Sequence, residues 1–336
     1  MDTLFFENPS AEEILRAGEM IKSGGLVAFP TETVYGLGAN ALDAEASAKI
    51  YAAKGRPSDN PLIIHLADPS DAEKYAFTTP EFQRLAERFM PGPLTVIMKK
   101  REIIPRTVTG GLDTVAVRVP SHPTANALIR AAGVPIAAPS ANLSGKPSPT
   151  SAAHVVRDMF GRIDAIIGGS DAEIGVESTI VTLAGEVPCV LRPGFVTPEE
   201  LREVLPEVEV SPAVTGRYEG VPLSPGMRYK HYSPRASVTI LDGEYSHIAA
   251  FLADRPECGK LCFAGDAEIL AMPNSREYGE KDDPSSQAHL LFSRLREFDD
   301  LPEITEIYAR KPSSGGVGLA VLNRLIRAAG FNVKTL

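Results

Sequence analysis

Two cations one residue apart, Lys54 and Arg56, close an amphipathic stretch, and far along the chain a Ser140-Ala141-Asn142 turn follows a short apolar run. Lysine and arginine neutralise phosphate or carboxylate oxygens, and hydroxyls with backbone N–H groups at a strand-to-helix junction hold the same anions. Residues 138–148, APSANLSGKPS, have that composition and lead from a strand towards a helix near Thr150. Taken alone, each feature also has a structural reading: the cations complement a helix C-terminus, and the turn caps the next helix. Three more groups belong with them. Pro30 to Gly38, PTETVYGLG, follows the first strand with glycines that admit close backbone approach to a ligand. Thr114 and Arg118 share one face of a strand, being four residues apart. Arg192 follows another strand, ahead of Pro193-Gly194.

Several familiar machines are missing: there is no G-x-x-x-x-G-K-[ST] loop, no H-E-x-x-H and no G-x-S-x-G elbow. Gly36-x-Gly38-x-x-Ala41 has the form of a dinucleotide fingerprint, but no clean second strand ends in an acidic residue at the expected spacing. Cys258 and Cys262 have no second pair or His cluster to complete a tetrahedral metal site, and the three cysteines read as reduced thiols. No dedicated protein metal site is expected.

The elements that must position these residues follow from the patterning. Up to residue 205 short apolar runs alternate with amphipathic stretches, which predicts a sheet covered by helices. Ser10 and Glu13 form a capping box for a first helix that Gly24-Gly25 ends, and Asp43 caps a second helix running to about Ala53. Strands are expected at 61–66, 94–98, 115–119, 135–138, 163–167, 179–183 and 187–191. The last three lie too close together for helical crossovers, so part of the sheet is expected to be antiparallel. From 206 to 235 the pattern gives way to a Pro- and Gly-rich linker, whose second half carries Arg228, Lys230, His231 and Arg235 with no acid among them. Such a segment is either a solvated tether or a loop that closes on an anionic ligand. Residues 236–336 alternate strand and helix, as in a small Rossmann-like parallel α/β domain.

Composition sets the outer limits. A chain of 336 residues favours two domains over one core, and 43% hydrophobic with 23% charged residues is ordinary for a globular protein. A formal net charge of −9 argues against a protein that coats nucleic acid, which needs clustered cations. No apolar run approaches the length of a membrane span, and the acidic start does not look like a signal peptide, so the cytoplasm is the expected address.

In this order the groups are far more specific than singly. Lys54-x-Arg56 followed by Ser140-x-Asn142 resembles the K-x-R and S-x-N signature of the YrdC/Sua5 family, and PTETVYGLG is similar to that family's opening. The resemblance runs on through 59–62 (DNPL), His65, 115–120 (VAVRVP) and 177–180 (ESTI). Residues 224–232 (SPGMRYKHY) and 313–318 (SSGGVG) look like the longer, two-domain Sua5 type.

The resemblance implies an open, twisted, mixed parallel/antiparallel YrdC-like sheet with flanking helices in residues 1–205, a linker at 206–235 crossing the active site, and a C-terminal α/β domain at 236–336. It also implies threonylcarbamoyl-AMP synthesis: L-threonine, bicarbonate or CO2, and ATP with Mg2+ give L-threonylcarbamoyladenylate and pyrophosphate. That product would feed a downstream tRNA threonylcarbamoyl transferase modifying adenosine 37. Residue by residue, Thr33, His65, Arg118, Ala138 and Ser178 resemble threonine-binding positions. Arg56, Asn60, Thr114, Ser140, Ser148, Arg192 and Tyr232 resemble ATP-binding positions. Lys54 and Arg56 are the candidates for neutralising phosphate charge, while Thr31, Tyr35 and Asn142 belong to the motifs without an assigned contact. Without the family, His65 on an apolar strand reads as a satisfied core residue. The alternative is an RNA-binding or ribosome-assembly module of the same fold; membrane association is not expected.

Overall fold

The computed structural model describes residues 2–217, 220, 223–225 and 231–336. Arg228 and Lys230, two of the linker cations, lie outside the described residues.

The N-terminal part contains strands β1 (Leu4–Phe6), β2 (Val27–Phe29), β3 (Gly36–Asn40), β4 (Ile63–His65), β5 (Leu94–Lys99), β6 (Thr114–Arg118), β7 (Ile136–Ala138), β8 (Ala165–Ile167), β9 (Thr179–Thr182), β10 (Cys189–Arg192) and β11 (Glu209–Val210). Its helices are α1 (Ala11–Lys22), α2 (Ala44–Lys54), α3 (Pro80–Phe89), α4 (Pro123–Ala132), α5 (Ala152–Met159) and α6 (Pro198–Val204). The strands form one sheet in the order β1-β8-β2-β3-β7-β4-β6-β5-β9-β10-β11. It is mixed: β4 and β6 pair parallel, for example, whereas β9 and β10 are antiparallel. The close spacing of the late strands has the expected consequence, because β9 returns directly along β10.

Local signals fix the helix ends. The Ser10/Glu13 capping box opens α1, Asp43 accepts from the Glu45 and Ala46 N–H groups to open α2, and Gly55 closes α2 in the left-handed region. Ser151 caps α5 just after the 138–148 turn.

The structure decides two local readings. Gly36 to Asn40 is a strand, antiparallel to β2 and β7, and no helix starts there, so the dinucleotide fingerprint does not apply. A Cβ on Gly38 would lie 2.7 Å from Ile136 Cγ2 and 2.9 Å from Phe29 Cε1, so this glycine serves packing within the sheet. The linker also begins later than the composition suggests, because Glu209 and Val210 pair with β10 at the sheet edge. Two residues are too few to show a periodicity.

The second part contains β12 (Ser237–Asp242), α7 (Tyr245–Ala253), β13 (Gly259–Cys262), α8 (Ala267–Leu270), β14 (Ser275–Glu277), α9 (Pro284–Glu297), β15 (Glu306–Arg310), α10 (Val317–Ala328) and β16 (Val333–Thr335). Every strand pair is parallel, in the order β14-β13-β15-β12-β16. Its core includes Phe292, Ile307 and Leu325, and it joins Val34, Ile174 and Val176 of the first part, so the two parts share a buried apolar face. Among the described residues no helix is long and apolar enough to cross a membrane.

Candidate active site

Sheet and turns converge on a single concavity at the junction of the two parts. It encloses about 690 Å³ of space between atoms, part of it open to solvent.

Lys54, the last residue of α2, is almost completely buried, and its Nζ donates to the Ser140 and Asn142 carbonyls, both at 2.5 Å. The K-x-R and S-x-N motifs therefore interlock through an ammonium and two backbone oxygens. Burial, reinforced by the Arg56 charge, pushes the Lys54 pKa well below its ordinary value. A phosphate in the cavity would reverse that pressure. Arg56 is half-buried and donates through Nη2 to Pro61 O at 3.1 Å. Ser140 Oγ donates to Asn142 Oδ1 at 2.5 Å, which orders the turn.

On the opposite wall stand the ends of β4, β6, β9 and β10. Arg118 is buried and pairs with Glu32 at 2.7 Å, so an anion bound there shares the guanidinium with an acid already present. His65 faces the cavity with Nδ1 donating to Ile63 O at 3.1 Å. Burial and then the Arg118 charge hold its pKa down at about 3, so the ring is neutral. Arg192 is buried and donates to Ser178 O and Ser178 Oγ at 3.1 and 3.2 Å. Ser178 Oγ also lies 2.8 Å from Thr95 Oγ1. Ser148 Oγ donates to Glu177 Oε1 at 2.5 Å.

The returning end of the linker covers the cavity. Ser233 N donates to Gly145 O at 2.8 Å, and Tyr232, held at φ 63°, stacks on Phe292 of α9 with ring centroids 5.1 Å apart. His231 lies beside it, its pKa lowered to about 3 by burial and then by Arg56.

Of the residues singled out in the sequence, Thr31, Tyr35, Lys54, Arg56, His65, Arg118, Ala138, Ser140, Asn142, Ser148, Ser178, Arg192 and Tyr232 all line this cavity. Thr33, Asn60 and Thr114 are not among its lining residues. Thr33 is buried behind the wall, its Oγ1 2.9 Å from Thr31 Oγ1. Asn60 is buried beneath Arg56, whose Nη2 points at its carbonyl 3.4 Å away. Thr114 shares the Arg118 face, but four strand residues separate the two by about 13 Å, which puts Thr114 at the far end of β6.

The sequence motifs assign no role to Glu32, Lys146 or Glu177, although Lys146 and Glu177 line the cavity and Glu32 holds Arg118. Glu32 and Glu177 sit inside motifs already noticed. Their meaning depends on arginines 86 and 147 residues away, a pairing that spacing does not reveal.

Comparison with known proteins places this arrangement. Residues 19–194 match the Sua5/YciO/YrdC family model, described as "Telomere recombination", and residues 196–330 match the model for the C-terminal domain of threonylcarbamoyl-AMP synthase. The chain belongs to this family. The threonylcarbamoyl-AMP synthases of Pyrococcus abyssi and Bacillus subtilis are each 45% identical to it, over 94% and 96% of this chain and 94% of each relative. The crystal structure of the Pyrococcus abyssi protein complexed with L-threonine superposes with a TM-score of 0.92 at 42% identity, covering all of both chains. The first part alone resembles Escherichia coli YciO, at TM-score 0.50 and 27% identity over 57% of this chain and 93% of that one. The mixed sheet and the second parallel sheet are thus those of the two-domain family members.

Proposed function

We infer that this protein is an L-threonylcarbamoyladenylate synthase, a nucleotidyltransferase acting on L-threonine, bicarbonate or CO2, and ATP. The observation that carries the reading is one cavity in which the Lys54/Arg56 cations, the Ser140-Asn142 turn and Arg118 meet, in a chain matching end to end a relative solved with L-threonine.

The threonine amine takes up CO2 and loses a proton to give a carbamate. A carbamate oxygen then forms a bond to the α-phosphorus of ATP, and the bond to the bridging oxygen breaks as pyrophosphate leaves. Such a reaction asks for positioning and charge neutralisation. Lys54 and Arg56 supply positive charge beside the turn, and Arg118 offers a planar fork to the threonine carboxylate. His65 and Ser178 complete the amino-acid side, with Ser140, Ser148, Arg192 and Tyr232 on the nucleotide side. Mg2+ belongs with the triphosphate. Among the described residues Glu177 is the acid lining the cavity and both its oxygens are engaged, by Ser148 and Arg324, whereas Mg2+ is commonly carried by substrate phosphates and water. We place the reaction in the cytoplasm and its product with a tRNA threonylcarbamoyl transferase.

Purified protein incubated with Mg2+, ATP and bicarbonate should release pyrophosphate only when L-threonine is added. Tight RNA binding without threonine-dependent release would instead favour the non-catalytic module.

A further inference from the structure

Arg324 is carried by α10 in the second part of the chain, yet its guanidinium is directed at the first. It is completely buried. Nε donates to Glu177 Oε2 at 2.8 Å, Nη2 to the Glu177 carbonyl at 3.2 Å and Nη1 to the Pro193 carbonyl at 2.6 Å. Glu177 precedes Ser178 and Pro193 follows Arg192, and both Ser178 and Arg192 face the cavity. The other Glu177 oxygen takes the Ser148 hydroxyl, and Arg324 Cζ lies 5.9 Å from the centre of the Tyr232 ring. One side chain thus reaches cavity residues on separate segments of the chain, directly or through Glu177.

We propose that Arg324 is a positioning residue for the nucleotide: by fixing the Glu177 carboxylate it determines how Ser148 meets ATP. The proposal rests on the reading that ATP occupies this cavity. An ionised carboxylate only accepts hydrogen bonds, so the single Ser148 proton is committed to Glu177 and Ser148 Oγ turns lone pairs towards the ligand. A hydroxyl so arranged recognises an N–H or O–H group of the adenine or ribose and is unsuited to a phosphate oxygen. The arrangement holds only while Glu177 stays ionised. Burial alone would raise its pKa, but Arg324, Arg192 and the Ser148 hydrogen bond outweigh burial and bring it to about 2. Without Arg324 the desolvation is less opposed, and Glu177 takes up a proton at higher pH. A protonated Glu177 can donate to Ser148 and reverse the polarity of that wall.

The test uses the full-length protein with Arg324→Lys, Arg324→Met and Arg324→Met/Glu177→Gln. MgATP binding is measured by calorimetry from about pH 5 to about pH 9, alongside pyrophosphate release. Arg324→Lys keeps the charge but loses the planar fork, and should weaken ATP binding about tenfold. Arg324→Met should show affinity falling as pH is lowered through an ionisation absent from both the wild type and the double variant. A merely structural arginine would lower the melting temperature without adding that ionisation. Should Arg324→Met fail to fold, Arg324→Lys decides. Wild-type affinity in the Lys variant, or a flat pH profile in a folded Met variant, overturns the proposal. A wild type that binds ATP without threonine-dependent release sinks the functional reading and leaves this test intact, whereas a wild type that does not bind ATP sinks both.

Discussion

Lys54 and Arg56 look equivalent in the sequence, but their surroundings separate them. Arg56 is half-buried at the edge of the cavity, whereas Lys54 is buried and pins the turn that follows β7. Arg56→Ala should therefore lower adenylate formation by about a hundredfold, in the range for losing one stabilising donor, with a smaller loss of stability than at Lys54, because its hydrogen bond to Pro61 O lies at a half-buried site. Lys54→Ala should lose activity and also about 1–3 kcal/mol of stability, because the Ser140 and Asn142 carbonyls lose their donor. Urea unfolding beside the pyrophosphate assay distinguishes the pair. Equal stability of the two variants would show that the ammonium does not hold the turn. Residue types and order were enough to find both cations and the turn. That the lysine grips backbone oxygens was not legible, because a carbonyl leaves no mark in a sequence.

Elements with a periodicity or a cap were legible to within a few residues. The helix expected from Asp43 to about Ala53 is α2, and the strand expected at 94–98 is β5. The element missed beside the site was β3, whose GLGAN composition suggests a ligand loop because glycine is depleted in strands. Its glycines are explained by tertiary contact, since Ile136 and Phe29 occupy the space above Gly38. Gly38→Val should accordingly cost about 1–3 kcal/mol through overpacking, read as a lowered urea midpoint. A midpoint unchanged from wild type would mean that β3 has room there. Between α5 and α9 the fold relies on charge. Asp158 and Arg296 are both buried and paired at 2.8 Å, and Arg296 also donates to Pro147 O at 2.6 Å, next to the cavity. Asp158→Ala leaves that guanidinium without its buried partner and should cost about 3–5 kcal/mol, while Asp158→Leu/Arg296→Met should recover most of the loss. An Asp158→Ala protein as stable as wild type would show that the pair is not needed to join the two parts.

At the scale of the molecule, folding buries ionisable groups that would otherwise titrate in water, and this gives the fold a direction in pH. His65 and His231 are brought to about 3 and His154 to about 4, all from an ordinary 6.5, with burial the leading cause in each. Glu177 is brought from 4.5 to about 2, because Arg324, Arg192 and Ser148 outweigh the opposing effect of burial. Each folded pKa lies below the unfolded one, so the unfolded chain binds these protons first as acid is added. The stabilisation is complete above about pH 6.5. It declines as pH falls, through the histidines first and then, below about 4.5, through Glu177 as well. Each histidine contributes about 1.4 kcal/mol per pH unit below its unfolded value. Urea midpoints should therefore fall steeply between about pH 6.5 and about pH 5, where the histidines of the open chain take up their protons. Replacing His231 with Gln removes one of the titrating groups and should flatten the fall. A midpoint that stays level down to about pH 5 would mean that the three rings protonate as freely in the fold as in the open chain.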